Sequence, residues 1–155
     1  MVIVELATGQ ELTVAISPVE NKDFRQITKK RYSFDWKMER GVADMFKLTI
    51  ANRSDILGLV SVMDFPVELR LQIRLICASK ENIGQGKQYA GIVGCLIAFV
   101  GNLALKRFSG LACISLLPKT ELRVHYKREY GMVDGGPQLY LDGARLQALV
   151  NKYLP

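Results

Sequence analysis

Residues 67–108 run VELRLQIRLICASKENIGQGKQYAGIVGCLIAFVGNLALKRF, and this stretch decides the fold. From Val67 to Leu75 the odd positions are apolar and the even positions are polar. A period of two predicts a β-strand with one face in the core and one polar face. The apolar run Ile76–Ala78 extends this strand at its carboxyl end.

A polar loop, residues 79–88, separates this strand from an apolar segment over residues 90–108. One stripe of that segment is apolar at helical spacing, which predicts a helix with a buried face. Its most apolar part, residues 90–105, is only 16 residues long and includes Asn102 and three glycines. A helix that spans a membrane needs about 20 apolar residues. We therefore predict a helix buried inside a soluble domain.

A strand followed by a loop and a helix can bind phosphate, because the first N–H groups of a helix lack intrahelical partners and carry partial positive charge. Two phosphate-binding motifs are excluded. A P-loop requires glycine at position 81 and Ser or Thr at position 88, where this chain has Glu and Gln. A dinucleotide fingerprint that starts at Gly84 requires a third glycine at position 89, which is Tyr.

A third pattern fits better and covers residues 88–97, QYAGIVGCLI. It resembles the Q/R-x-x-G-x-G/A signature and the following Leu pair of the GNAT acyltransferase superfamily, with Val93 in place of the last small residue. A second block, residues 119–132, is KTELRVHYKREYGM. It resembles the N-x-x-A-x-x-x-Y…G-F block of the same superfamily, with Lys119 in place of Asn and a gap from Tyr126 to Gly131 that is one residue longer.

This resemblance implies a mixed α/β, GNAT-like fold: a central, mostly antiparallel, twisted sheet that splays at the cofactor site and is flanked by helices. It implies one domain over residues 1–155 and an N-acetyltransferase that moves the acetyl group of acetyl-CoA to a primary amine by direct attack, without a metal. The pyrophosphate is expected at the N-terminus of a helix that starts near Gly91. The implied cofactor-binding residues are Cys77, Ala78, Lys87, Gln88, Gly91, Ile92, Val93, Gly94 and Lys119. For the two lysines, plain solvated side chains are the alternative.

Acetyl transfer needs a neutral amine, and an amine with a pKa of about 10.4 is neutral in only about one molecule per few thousand at pH 7. A general base is therefore useful. Glu68 is our candidate, although about 30 Å of extended strand separates it from the cofactor end; proton loss to water is the alternative. By the resemblance, Tyr126 protonates the departing thiolate. The alternative is that its ring only packs on the core.

The rest of the chain predicts further elements around this unit. We expect two strands, or one interrupted strand, at residues 2–6 and 11–16. A strand pair is expected at 45–51 and 56–63, and further strands at 110–117 and 138–141. Helices are predicted at residues 120–130, ended by Gly131, and 144–153. Residues 19–40 match the superfamily poorly and are predicted to form a short helix and a loop. In such enzymes this region helps to shape the acceptor site.

Composition limits the other function classes. The chain has 155 residues and a net charge of +6, with its densest basic cluster in residues 22–40, but no nucleic-acid-binding motif. Three cysteines and a single histidine supply no metal cage, and the absence of a signal peptide favours a cytoplasmic location. We expect a small-molecule or peptide amine as partner, no nucleic acid or membrane, and a possible homodimer. The alternatives are a non-catalytic acyl-CoA-binding module on the same fold and a basic nucleic-acid-binding domain.

Overall fold

The computed structural model describes all 155 residues. The strands are β1 (Val2–Glu5), β2 (Glu11–Pro18), β3 (Asp44–Ile50), β4 (Ile56–Phe65), β5 (Arg70–Ala78), β6 (Tyr89–Ala90), β7 (Cys113–Leu116), β8 (Val133–Gly135) and β9 (Gln138–Asp142). The α-helices are α1 (Ile92–Phe108), α2 (Arg123–Tyr130) and α3 (Gly143–Tyr153).

The nine strands form one sheet in the order β6-β1-β2-β3-β4-β5-β7-β9-β8. Strand β5 is parallel to β7, whereas β1 pairs antiparallel with β2, β2 with β3, and β7 with β9. The parallel register runs from Arg70 opposite Cys113 to Ile73 opposite Leu116, and β5 continues beyond it to Ala78. The predicted mixed α/β architecture with a mostly antiparallel central sheet is therefore confirmed.

The chain forms two compact units, and the expectation of a single domain stays a prediction. Unit 1 comprises Met1–Ser61 and Leu75–Leu96, and unit 2 comprises Val62–Arg74 and Ile97–Pro155. In unit 1 a buried cluster contains Ile27, Tyr32, Trp36, Ile56, Leu59 and Cys77. In unit 2, α3 packs on α1 so closely that a Cβ built on Gly101 would lie 2.9 Å from Leu146 Cδ1 and 3.0 Å from Val150 Cγ2.

Helix α1 is the longest helix of the chain, and many of its residues are buried. By length and composition alone the segment Ile92–Leu111 could cross a membrane, and half of that window is buried inside the protein. The buried residues include the run Cys95–Ala98, in which every residue is 0% exposed, together with Val100 and Ala104. Burial of this kind is typical of the core helix of a globular domain.

The predicted strand over residues 67–75 is wrong at its first three residues. Pro66–Glu68 form a 3-10 helix, and Leu69 has a left-handed backbone with φ of 50°. Val67 was expected in the core, but its side chain is 97% exposed. Proline has no N–H to give to a sheet and suits the first position of a helical turn, so Pro66 overrides the alternation that follows it. From Arg70 onward the alternation holds, with Leu71 and Ile73 buried.

The other strands and the α-helices that the sequence predicts are present, and the structure has two further short strands. Residues 19–40 contain two 3-10 helices, Asn21–Arg25 and Trp36–Glu39, instead of one short helix and a loop. Strands β6 and β8 were not predicted. Gly131 ends α2 with φ of 71°, as expected of a left-handed terminator.

Candidate functional site

Helix α1 begins inside the stretch that resembles the cofactor signature. Gly91 precedes it with φ of +100°, a conformation that side chains rarely adopt. The Cys95 amide donates to the Gly91 carbonyl over 3.0 Å, which is the first turn of the helix. The amides of Ile92, Val93 and Gly94 precede that bond, so they have no intrahelical acceptor and can receive an anion.

The N-terminal strand fixes the chain just before α1. Val4 pairs with Ala90 and Glu5 with Tyr89, and the Leu6 amide donates to the Gln88 carbonyl over 2.9 Å. The loop before α1 is thereby built into the sheet edge as β6. This pairing uses residues 88–90 and stops short of the three helix amides.

A buried asparagine holds the same loop from the inside, and sequence reasoning missed it. The Asn82 side chain accepts a hydrogen bond from the Tyr89 amide at 3.2 Å and donates to Ser79 Oγ at 2.9 Å. Ser79 is 0% exposed, and its own amide donates to the Leu57 carbonyl over 2.9 Å. Asn82 therefore connects β6 to the end of β5. A single Asn in a polar loop gives no sequence signal for this position.

The end of β5 lies close to the first turn of α1. Cys77 and Ala78 are 7% and 5% exposed. A Cβ built on Gly58 of β4 would lie 2.6 Å from Ile92 Cγ2 and 3.4 Å from the Cys77 carbonyl oxygen. The structure thus brings together Cys77, Ala78 and the Gly91–Gly94 segment, with Lys87 and Gln88 exposed just ahead of it. Their role in cofactor binding stays a prediction.

Arg31 ties the segment after β2 to the loop after β5. Its Nη2 lies 2.9 Å from Glu81 Oε1 and 2.9 Å from Asp55 Oδ1. Its carbonyl accepts from the Lys80 amide at 2.8 Å. Partial burial raises the pKa of Glu81, but hydrogen bonds from its own backbone, from Arg31 and from Ser79 outweigh this effect and hold that pKa below its ordinary value.

We expect the Arg31–Glu81 contact to be lost in acid. Because the pKa of Glu81 is lower in the folded protein, this carboxylate stabilises the fold above its ordinary pKa and stops doing so as pH falls through the lowered value. An ion pair this exposed contributes about 0.2–1 kcal/mol. Urea unfolding at pH 7 and at pH 3.5 should show a smaller loss of stability for Glu81→Gln than for the native protein. The same change at the exposed Glu129 is the control, and equal losses in all three proteins would contradict the assignment.

Tyr126 and Lys119 belong to unit 2. Tyr126 is 7% exposed on α2, and its ring centroid lies 5.7 Å from that of Tyr130 and 5.9 Å from that of His125. Lys127 and Arg123 both form ion pairs with Asp134. Their hydrogen bonds hold the pKa of the Asp134 carboxyl below its usual range, and the bond from Lys127 has the larger effect. Lys119 is exposed and precedes the 3-10 helix Thr120–Leu122 that leads into α2. The burial of Tyr126 agrees with packing on the core, and its role as an acid stays a prediction.

Glu68 lies in the 3-10 helix before β5, not on a strand face. Its Oε2 accepts from Arg70 Nε at 2.7 Å, and Arg70 also donates to Ser115 Oγ at 2.8 Å. Cys77 is near the opposite end of β5, about 30 Å of strand away. These contacts favour a structural role for Glu68, so its assignment as a base stays a prediction. No group of three or more His, Cys, Asp or Glu side chains is arranged to hold a metal ion.

Comparison with known proteins identifies the fold class. No protein-family model matches the sequence, and no curated protein matches it significantly. A spermidine N-acetyltransferase from Vibrio cholerae in complex with CoA and spermine is similar, with a TM-score of 0.65 and 14% identity over 86% of this chain and 98% of that chain. The dodecameric structure of the Vibrio cholerae spermidine N-acetyltransferase in an intermediate state has a TM-score of 0.61 and 18% identity over 91% and 96%. A chimera of the Vibrio cholerae enzyme with hSSAT has a TM-score of 0.64 and 18% sequence identity, over 87% of this chain and 98% of that chain.

These likenesses concern the fold, because all three identities are below 20%. The chain has the fold of the GNAT acetyltransferases.

Proposed function

We propose that this protein is an N-acetyltransferase that transfers the acetyl group of acetyl-CoA to a primary amine. The observation that carries the proposal is the position of Gly91 and the first turn of α1 against the end of β5, in a chain with the GNAT fold. A similar solved structure holds CoA. We extend the proposal to a cytoplasmic location, because the three cysteines are free thiols.

The cofactor diphosphate would accept hydrogen bonds from the amides of Ile92, Val93 and Gly94. These N–H groups are fixed in direction by the helix, and partial positive charge at a helix start favours an anion. Lys87 and Lys119 would add positive charge, and Gln88 an amide donor. Backbone groups at Cys77 and Ala78 would bind the pantetheine arm and stabilise the oxyanion.

The reaction forms a C–N bond and breaks a C–S bond. The neutral amine nitrogen attacks the thioester carbonyl carbon, and negative charge collects on the carbonyl oxygen. Collapse of this intermediate expels the CoA thiolate, which takes a proton from the Tyr126 hydroxyl in the role that the GNAT resemblance assigns to it. The amine gives up its proton to water or to Glu68. The acceptor would be a small molecule or a peptide amine, and association into a homo-oligomer is part of the proposal because one similar structure is a dodecamer.

Calorimetric titration tests cofactor binding first. Acetyl-CoA should bind saturably, and acetylpantetheine, which lacks the diphosphate and adenosine, should bind at least about tenfold more weakly, a difference of about 1.4 kcal/mol. This difference is what hydrogen bonds to a charged group would contribute. No heat of binding at millimolar acetyl-CoA would contradict the proposal. Equal affinities for acetyl-CoA and acetylpantetheine would mean that the diphosphate does not bind at the start of α1.

Release of free CoA thiol across a panel of amines tests the reaction itself. Burial raises the pKa of Cys95 to about 11, so this thiol should react slowly with the detecting reagent. A blank without amine corrects for the other cysteines. Binding of acetyl-CoA without thiol release from any amine would favour the non-catalytic acyl-CoA-binding module.

A further inference from the structure

Four side chains of unit 1 form a continuous series of hydrogen bonds that ends on the loop before α1. Arg31 Nε and Nη2 donate to Glu81 Oε1 at 3.1 and 2.9 Å. The Ser79 hydroxyl also donates to the Glu81 carboxylate. Ser79 Oγ in turn accepts from Asn82 Nδ2 at 2.9 Å, and Asn82 Oδ1 accepts from the Tyr89 amide at 3.2 Å. We call these four side chains the relay, and it joins the segment after β2 to β6.

Each bond of the relay has only one possible direction. A backbone amide only donates, so Asn82 must turn its oxygen to Tyr89 and its NH2 group to Ser79. The single hydroxyl hydrogen of Ser79 is then left for Glu81, whose ionised carboxylate only accepts. Ser79 and Asn82 are 0% and 5% exposed, so water does not replace a partner that is lost. A bond broken at one end of the relay therefore leaves a buried group further along without its partner.

Arg31 is held in place by contacts outside the relay. Its Nη1 donates to Gln26 Oε1 at 3.1 Å, and its Nη2 lies 2.9 Å from Asp55 Oδ1. Its carbonyl accepts from the Lys80 amide at 2.8 Å. The Arg31 side chain is 22% exposed. A guanidinium fixed in this way gives the relay a rigid starting point in the segment between β2 and β3.

The other end of the relay lies close to the amides that the proposed function assigns to the diphosphate. Strand β6 is at the edge of the sheet and pairs only with β1, and the Tyr89 amide bonds to the Asn82 side chain instead of to a further strand. Only Ala90 and Gly91 separate Tyr89 from Ile92, where α1 begins. The position of Tyr89 therefore helps to set the position and direction of the first amides of α1.

We propose that the relay positions the diphosphate-binding amides, so that Arg31, Glu81, Ser79 and Asn82 are positioning residues for the cofactor and do not contact it. A displacement of about 1 Å in a group that orients a ligand can cost about a hundredfold in rate, so small shifts of these amides matter. This inference rests on the proposed function. It gives the segment between β2 and β3, which the resemblance connects with the acceptor, a separate role in cofactor binding.

Glu81→Gln tests the relay, because the two explanations predict effects of opposite sign. The variant removes a negative charge near an anion site, and by the general field alone it should bind acetyl-CoA more tightly. A Gln side chain keeps only one acceptor oxygen for the Arg31 and Ser79 donors, so the relay predicts weaker binding. Calorimetry should give a dissociation constant for acetyl-CoA about tenfold above the native value. The constant for acetylpantetheine, which lacks the diphosphate, should stay within about twofold of the native value, whereas a general loss of stability would weaken both ligands alike.

Asp55→Asn is the matched control. It removes the same charge from the same guanidinium, because Asp55 also lies 2.9 Å from Arg31 Nη2, but no bond of the relay passes through Asp55. Its affinity for acetyl-CoA should stay within about twofold of the native value or rise. Ser79→Ala breaks the relay without a change of charge. The double variant of Ser79→Ala and Glu81→Gln should bind acetyl-CoA no more than about twofold more weakly than the weaker single variant, because both changes interrupt one series of bonds.

Hydrogen exchange tests the relay without the cofactor. The Tyr89 amide should exchange faster in Glu81→Gln than in the native protein and in Asp55→Asn. Unchanged exchange of this amide, unchanged or tighter binding of acetyl-CoA by Glu81→Gln, an equal loss of affinity in Asp55→Asn, or losses that multiply in the double variant would overturn the inference. If the native protein binds acetyl-CoA and Glu81→Gln binds it equally well, the proposed function stands and this inference falls. If the native protein does not bind acetyl-CoA, the proposed function falls together with the cofactor role of the relay, and exchange at Tyr89 still shows whether the relay holds β6.

Discussion

Replacing Tyr126 with Phe is expected to lower the turnover number of acetyl transfer by about a hundredfold to ten-thousandfold, the usual contribution of a positioned acid or base. The affinity for acetyl-CoA should change by less than about twofold. The substitution removes one hydroxyl and keeps the ring, which is 7% exposed and lies 5.7 Å from the Tyr130 ring. Packing of α2 should therefore survive. Steady-state kinetics and calorimetry on the same preparation measure the two quantities.

Tyr130 supplies the matched control for this experiment. It lies on the same helix, one turn after Tyr126, and is partly buried. Tyr130→Phe removes the same group from the same ring cluster and should leave turnover within about threefold of the native value. Equal losses of turnover and of cofactor affinity in Tyr126→Phe would reassign Tyr126 to binding or to packing. A large loss in both variants would show that the ring cluster, and not one hydroxyl, matters.

The parts of the fold that the sequence predicts are those with local causes. Gly131 terminates α2, and Gly91 precedes α1, because each position requires a positive φ. The helix over residues 92–108 follows from its apolar stripe. The prediction fails at Val67, where a perfect alternation follows Pro66 and the local turn prevails. It also misses β6, since a two-residue strand exists only through its pairing with β1, more than 80 residues earlier in the chain.

In the candidate site, too, the features with local causes could be predicted, and those that depend on tertiary contacts could not. The amides of residues 92–94 could be anticipated, because any helix start presents them and the glycines mark where it lies. Asn82 and Arg31 could not, since their importance comes from partners that only the tertiary structure brings close: the Tyr89 amide for Asn82, and Glu81, 50 residues away, for Arg31. The basic residues 22–40 gave only a diffuse positive charge in sequence. Folding places two of them, Lys29 and Lys37, beside a cavity lined by aromatic side chains, an arrangement that the sequence does not show.

Gly58→Ala is expected to destabilise the protein by about 1–3 kcal/mol, as overpacking of a well-packed core does. The added Cβ would lie 2.6 Å from Ile92 Cγ2 and 3.0 Å from Leu96 Cδ1. Ile92 is β-branched and cannot swing its Cγ2 away without leaving its preferred rotamer, so the first turn of α1 must shift. That turn carries the amides proposed to bind diphosphate, and we therefore expect acetyl-CoA affinity to fall together with stability. Urea unfolding and calorimetry measure the two effects.

Two variants show whether the clash itself is the cause. Gly110→Ala adds the same methyl group where nothing lies within 4 Å and φ is not positive, so its stability should change little or rise by about 0.4–1 kcal/mol. Ile92→Ala removes the clashing Cγ2, and Gly58→Ala should then cost at least about 1 kcal/mol less in that background than in the native protein. Strictly additive costs would mean that the close approach of β4 to α1 does not set the position of the helix start. The proposed diphosphate site would then depend on the other contacts that hold the chain just before Gly91, which are the β1–β6 pairing and the Asn82 side chain.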